Sequence, residues 1–288
     1  MSARFGRTLL GPGAVKFIRS PENPVFRQLL ALRDSARERR EEGKTLIEGA
    51  HLLEAYIENT GMAPELIVID EQSAGRPDLQ KLLARAPDAP SVSFDSRLFS
   101  KISPVAGANA VLALIPVRAD ASLNALTTGG FQLWLDGVQD PGNVGSLIRS
   151  AAASGAKVIV LGPGCADPWS PKCLRGGMGG HFAMRLIEVD DLAAAASEWP
   201  GRILVAEANS LATVFVTNLI DDVAIILGAE GAGVGDHLKA RATGSISIPM
   251  PGSIESLNVA AAGAVFCFER LRQTLDCGRG KIVRSQAS

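Results

Sequence analysis

Apolar positions divide the chain into short blocks of two kinds. Some blocks are short continuous apolar runs, such as Leu66–Asp70 (LIVID), Leu133–Asp136 and Val223–Leu227. These read as buried strands. Others repeat at helical spacing, as Val25, Phe26, Leu29, Leu30 and Leu32 do in a helix expected over Asn23–Glu42. In the first half the pattern predicts strands at Thr45–Glu48, Leu66–Asp70, Ser91–Phe94 and Ala110–Ile115. It predicts helices at Ala50–Asn59, Asp78–Ala86 and Ser96–Ile102, and so a small α/β/α domain. Residues 1–20 carry several Gly and Pro without periodicity and read as a loose basic arm. Residues 117–130 read as a linker.

A second alternating run begins at Phe131. Its predicted strands are Leu133–Asp136, Lys157–Leu161, Ile203–Glu207, Val223–Leu227 and Ser245–Ile248. Helices are expected at about 144–154, 171–179, 191–198 and 235–241, with a long apolar one from Leu257 to Leu275. Strand-helix alternation of this kind gives a parallel sheet with ligands at the carboxyl ends of its strands. The expected division is therefore a basic arm (1–20), an α/β domain (21–116), a linker (117–130), a second α/β domain (131–278) and a basic tail (279–288).

Composition changes the picture little. Aromatic residues are 5% of the chain, so Ala, Val, Ile and Leu must fill the core, which favours α/β layers. The net charge of −1 hides an asymmetry: the first 44 residues hold ten basic and five acidic side chains. Basic ends suit phosphate, and equally a solvated helix face. Arg37, Arg39 and Arg40 are the candidate phosphate contacts there. The four cysteines form no CxxC pair, so no metal site is expected and the thiols suit a reducing compartment. No apolar run reaches membrane-span length and no signal peptide is evident, so a cytoplasmic protein is expected.

Three stretches carry candidate chemistry. In LWLDGVQDPGNVGSLIRSAAA a strand ends at Asp136 and a helix opens with Asn143 at or beside its N-cap. Arg149 follows six residues later, nearly two turns on, so it is expected on roughly the same face. In VAIILGAEGAGVG a buried strand runs into a turn containing Gly228, Gly231 and Gly233, with Glu230 its one acid. Its glycines stand first, fourth and sixth rather than first, third and sixth, which disfavours a dinucleotide site. In ISIPMPGSIESLN a strand breaks at Pro249, and Ser256 and Asn258 lead into the last helix. Each stretch alone is equally an ordinary capped or tightly turned element.

The ordered set DPGN-x2-S-x2-R, LGAEGAG and IPMPGS-x2-SLN resembles the three motifs of the SpoU (TrmH-like) family of RNA 2′-O-methyltransferases, of the SPOUT class. The likeness covers about Phe131 to Leu275. Residues 22–115 look like that family's frequent substrate-binding domain. The chain departs from the pattern at Gly177, where the family's usual residue is Ser, and at Ala229, where many members have Asn.

The resemblance implies a trefoil knot in the catalytic half, a homodimer and S-adenosylmethionine as cofactor. It implies an RNA substrate, with rRNA placed ahead of tRNA, and the ribose 2′-hydroxyl as methyl acceptor. Gly228, Ile248, Met250 and Leu257 match its cofactor-binding positions. Asn143, Arg149, Glu230, Ser256 and Asn258 match its polar active-site positions, and Arg175 is a further candidate RNA contact. The rival expectation is a non-catalytic RNA-binding protein that keeps the fold.

Overall fold

The computed structural model describes residues 16–103, 110–117 and 129–285. The chain forms two compact units, 1–118 and 119–288. Most of the stretch expected as a linker, and the first fifteen residues of the expected arm, lie outside the described residues.

In the first unit, in chain order, the elements are β1 (Lys16–Ile18), α1 (Pro24–Asp34), α2 (Ala36–Glu42), β2 (Lys44–Glu48), α3 (Ala50–Thr60), β3 (Leu66–Asp70), α4 (Pro77–Leu83), β4 (Ser91–Phe94), α5 (Ser96–Ile102) and β5 (Val111–Pro116). The sheet order is β1-β4-β3-β5-β2. Strands β1, β4 and β3 run parallel, and β5 is antiparallel to both β3 and β2. Phe26, Leu29 and Leu32 of α1 and Leu98 and Phe99 of α5 pack over Val68, Phe94, Leu112 and Leu114.

Two expectations fail here. Lys16–Ile18 is not loose arm: it adds an edge strand against β4, with Ile18 buried. The single helix over Asn23–Glu42 is broken at Ser35. That residue has extended backbone (φ −121°, ψ 116°), closes α1, and its hydroxyl accepts from the Glu38 amide to open α2.

The break overturns one predicted RNA contact. Arg39 is 5% exposed, and its Nη1 donates to the carbonyls of Leu32 at 2.5 Å and Arg33 at 3.1 Å. It satisfies carbonyls that the end of α1 leaves open, so it is not available to a phosphate. Arg37 and Arg40 remain exposed, with Arg37 paired to Glu41 at 2.6 Å. Arg39→Ala is expected to lower unfolding free energy in urea by on the order of 2 kcal/mol, because buried carbonyls lose a charged donor. Arg37→Ala should change it by less than about 0.5 kcal/mol, as exposed pairs do.

The second unit contains β6 (Phe131–Asp136), α6 (Pro141–Ala153), β7 (Val158–Leu161), α7 (Pro171–Gly177), α8 (Gly180–Ala183), β8 (Arg185–Glu188), α9 (Leu192–Glu198), β9 (Arg202–Ala206), β10 (Val223–Gly228), α10 (Asp236–Lys239), β11 (Gly244–Ile246) and α11 (Val259–Ser285). The six strands are all parallel, in the order β11-β9-β10-β6-β7-β8. Strand β8 was not anticipated. Helix α11 runs ten residues beyond its expected end, into the stretch expected as a basic tail.

From β6 the chain winds outward through β7 and β8, then returns on the other side through β9, β10 and β11. The strand order therefore reverses between β6 and β10. In a parallel sheet the crevice at that reversal, beyond the carboxyl ends, is where ligands bind. Asp136 and Gly228 are register partners at that edge. One face of the sheet is covered by α9 and α10 over Trp134, Val160, Ile203 and Ile226. On the other, α11 lies against α6 and β10 so closely that a Cβ at Gly263 would stand 2.2 Å from Leu147 Cδ2.

Strand β11 ends two residues earlier than expected because its continuation changes partner. Ile246 accepts from the Glu207 amide at 3.0 Å. Ser247 instead donates to Ala212 at 2.9 Å and accepts from Val214 at 2.8 Å. The segment 207–214 thus flanks the emerging chain on both sides. Its continuation is clasped by α11: Gln273 donates to Thr217 O and accepts from Leu219 N, both at 2.9 Å, and Arg270 donates to Ile220 O at 3.1 Å.

Candidate active site

Three loops meet at the β6–β10 crevice. The first opens α6. Its N-cap is Asp140 rather than Asn143; Oδ1 accepts from the amides of Gly142 at 2.8 Å and Asn143 at 3.0 Å. Lys172 of α7 donates to Asp140 Oδ2 at 2.7 Å. That hydrogen bond, followed by the Asn143 amide, holds the Asp140 carboxyl below its ordinary pKa. The signal was present in the sequence, since Pro141 directly after an Asp marks the first helical position. Asn143 therefore sits in the first turn with its side chain free to face the crevice.

The second loop leaves β10. Gly231 (φ +86°) and Gly233 (φ +68°) adopt left-handed backbone, and the Gly233 amide donates to Ala229 O at 2.9 Å. The turn closes so tightly that a Cβ on Gly228 would lie 2.1 Å from the Gly233 carbonyl carbon. Glu230 stands exposed at its crest.

The third loop ends at Asn258, which caps α11. Its Oδ1 accepts from Ala260 N at 2.9 Å and Ala261 N at 3.3 Å. With that oxygen committed to amides, the Nδ2 must face the crevice. It donates to Asn143 Oδ1 at 3.1 Å and to Glu230 Oε1 at 3.3 Å. Asn143 Nδ2 in turn donates to Glu230 Oε1 at 2.6 Å. The cap thus sets the orientation of both amides, and one Glu230 oxygen collects two donors. Residues 87 and 115 positions apart in sequence are tied into one group.

The other expected site residues are not in that group. Arg149 is exposed and makes no hydrogen bond or ion pair among the described residues. Six residues of α-helix turn through 600°, so it points about 120° away from Asn143, not along the same face. Its backbone abuts α8, where a Cβ on Gly180 would stand 3.3 Å from Arg149 Cα. Ser256 is exposed, without a hydrogen bond among the described residues. Ile248 and Met250 are half-buried, and Leu257 is 40% exposed. Arg175 is half-buried on α7.

The departure at position 177 has a packing cause. The buried ring of His181 fills the space beside it, and a Cβ there would lie 2.3 Å from His181 Cε1. His181 Nε2 lies 2.8 Å from Pro168 O, and burial pushes its pKa down to about 4. It is a neutral packing residue rather than a crevice acid or base. A cavity of about 820 Å³ opens between the 206–212 segment and Gly233–Val234. The Glu207–Lys239 pair, at 2.8 Å, stands at its wall. Among the described residues no cluster of His, Cys, Asp and Glu suits a metal ion, and no helix is long and apolar enough to cross a membrane.

Residues 130–268 match the model of the SpoU rRNA Methylase family. The chain is 30% identical over 260 residues to 23S rRNA (guanosine(2553)-2′-O)-methyltransferase RlmP of Bacillus subtilis, across 88% of this chain and 98% of that protein. It is 27% identical to 23S rRNA (guanosine-2′-O-)-methyltransferase RlmB of Haemophilus ducreyi, across 80% and 98% of the two chains. Among solved structures it resembles the SpoU methyltransferase AviRb of Streptomyces viridochromogenes in complex with AdoMet. The TM-score is 0.79 at 25% identity, over 88% of this chain and 98% of that one. An AdoMet-bound rRNA methyltransferase from Sinorhizobium meliloti matches with TM-score 0.78 at 25% identity, over 90% and 98%.

Proposed function

The chain belongs to the SpoU rRNA methylase family, and from that premise we propose that it methylates the ribose 2′-hydroxyl of a guanosine in 23S rRNA. It is an RNA 2′-O-methyltransferase that uses S-adenosylmethionine. The observation that carries the catalytic reading over a purely RNA-binding one is the bonded group Asn143–Glu230–Asn258. It joins three separate loops at the sheet's switch point, and packing of the fold alone does not require exposed polar groups to converge there. Cytoplasmic location is part of the same proposal.

The residues present fit the cofactor. The Gly228–Gly233 turn bares backbone groups, and the Asn258–Glu230 bond brings it beside the loop that carries Ile248, Met250 and the exposed Leu257. Apolar side chains beside bare amides suit an adenosine. The cofactor supplies an activated methyl group and its own leaving group. The protein's part is to orient the ribose hydroxyl for in-line attack and to steady the charge that develops on its oxygen. Asn143 and Asn258, with their orientations locked, would hold the ribose. A guanidinium is a poor base, so Arg149 would bind the adjacent phosphate and stabilise the developing alkoxide. Ser256 directly precedes the exposed Leu257 in the loop leading to α11 and would contact RNA or cofactor once they bind.

The test is transfer of labelled methyl from S-adenosylmethionine to 23S rRNA, followed by nucleoside digestion. Label in 2′-O-methylguanosine is expected. Label in a base, or cofactor binding by calorimetry with no transfer to any rRNA, would overturn the substrate reading.

We propose further that the trefoil knot of the family is threaded where the 207–214 segment flanks Ile246 and Ser247, and that the chain acts as a homodimer. Phe268 and Leu275, 48% and 54% exposed, stand seven residues apart on one face of α11. Phe215 and Val216, also exposed, precede the segment that α11 clasps. Light scattering is expected to give twice the chain mass at micromolar concentration; a monomer mass there would sink the dimer. Arg37, Arg40 and Arg175 remain the proposed phosphate contacts of this reading. Arg37→Ala with Arg40→Ala should weaken RNA binding and reduce its salt slope by about one to two, with cofactor affinity unchanged.

A further inference from the structure

We propose that Asp136 is a positioning residue that sets the height of Glu230 in the crevice by anchoring the exit of the glycine turn. The proposal rests on the reading of Glu230 as part of the active site.

Asp136 is the last residue of central strand β6 and the register partner of Gly228, the last of β10. Its Oδ2 accepts from the Gly235 amide at 2.9 Å, across 99 positions of sequence. Among the described residues it makes no ion pair and no other side-chain hydrogen bond, so its task there is that of an acceptor rather than of a counter-charge.

The turn between Gly228 and Gly235 has two fixed points. At its mouth, Gly228 is pressed against the backbone of Gly233 and Val234, and Gly233 N closes onto Ala229 O. At its exit, Asp136 holds Gly235. From below, Gly137 lies under Ala229, where a Cβ on the glycine would stand 3.6 Å from Ala229 Cβ. Glu230 follows Ala229 directly. The same strand end therefore supports the turn from beneath and ties down its far side, while Glu230 is the one residue that reaches across to Asn143 and Asn258. Without the anchor, the turn keeps its internal closure but is free to tilt as a unit, and Glu230 leaves its two donors.

The anchor needs an oxygen, not a charge. Asp136→Asn retains one and should keep turnover within about threefold of wild type, whereas Asp136→Ala should lose about tenfold or more. The decisive measurement is a double-mutant cycle with Glu230→Ala, which removes the accepting oxygen, in single-turnover methylation of 23S rRNA. If Asp136 acts through Glu230, Asp136→Ala on the Glu230→Ala background should cost less than about twofold more. Hydrogen exchange adds a readout that needs no variant: the Gly235 amide of the wild-type enzyme should be protected. Fast exchange at Gly235, an additive cycle, or an Asp136→Asn enzyme as impaired as Asp136→Ala would each overturn the proposal. A fully active Glu230→Ala enzyme would instead sink the active-site reading on which it rests.

Discussion

Replacing Arg149 with Ala is expected to cut single-turnover methylation by about a hundredfold or more, with S-adenosylmethionine affinity near wild type. The structure makes this a clean experiment. Arg149 is exposed and has no partner among the described residues, so its removal strands no buried group. Such surface substitutions change stability by about 0.5 kcal/mol or less. A large fall in turnover could not then be assigned to unfolding. Nor does Arg149 hold the Asn143–Glu230–Asn258 group together, because it points away from it. Its role has to be met by the RNA itself, through a phosphate and the reacting hydroxyl. Arg149→Lys should also be poor, since an ammonium cannot reproduce a planar, two-pronged contact. An Arg149→Ala enzyme within about threefold of wild type at saturating RNA would remove the residue from the mechanism.

What the sequence revealed and what it concealed have physical causes. Buried strands such as LIVID and VAIIL declare themselves, because both faces of an interior strand are covered and the apolar run is unbroken. Two of the four edge strands do not. Lys16–Ile18 and Arg185–Glu188 are three and four residues long, begin on a cation, and bury only part of their length. The break at Ser35 was legible in the S-x-x-E spacing to Glu38, a helix-start signal inside what periodicity joined into one helix. The burial of Arg39 was not, because a basic residue in a run of charges looks solvated until the chain turns under α1. At the site, spacing supplied the candidates but not their meeting. Nothing local tells Asn143 that Asn258 stands 3.1 Å away. Only the ordered set of motifs pointed to their convergence, and the six-residue spacing misplaced Arg149 by about 120° around the helix.

The other large effect is expected at Gly228. Three glycines of the crevice loops form a graded series. At Gly252 nothing lies within 4 Å of an added Cβ and the backbone is ordinary, so Gly252→Ala should be close to silent. At Gly231 the space is open but φ is +86°, so Gly231→Ala should cost about 1–2 kcal/mol of left-handed strain. At Gly228 the obstacle is the peptide unit joining Gly233 to Val234: the Gly233 carbonyl carbon at 2.1 Å, its oxygen at 2.3 Å and the Val234 nitrogen at 2.3 Å. No rotamer change relieves such a clash, so the whole turn must lift off the end of β10. Gly228→Ala should therefore destabilise the chain by about 1–3 kcal/mol, as overpacking does. Its greater effect falls on the site, because the lifted turn carries Glu230 away from Asn143 and Asn258. An ångström of misplacement there costs on the order of a hundredfold in rate. The same displacement moves the bare amides proposed to face the cofactor, so calorimetric affinity for S-adenosylmethionine should fall together with turnover, unlike in Arg149→Ala. Measuring urea midpoint, cofactor affinity and turnover across the three glycine variants separates close approach from backbone strain. A Gly228→Ala enzyme that binds cofactor within about threefold of wild type would show that the turn can yield without moving the site.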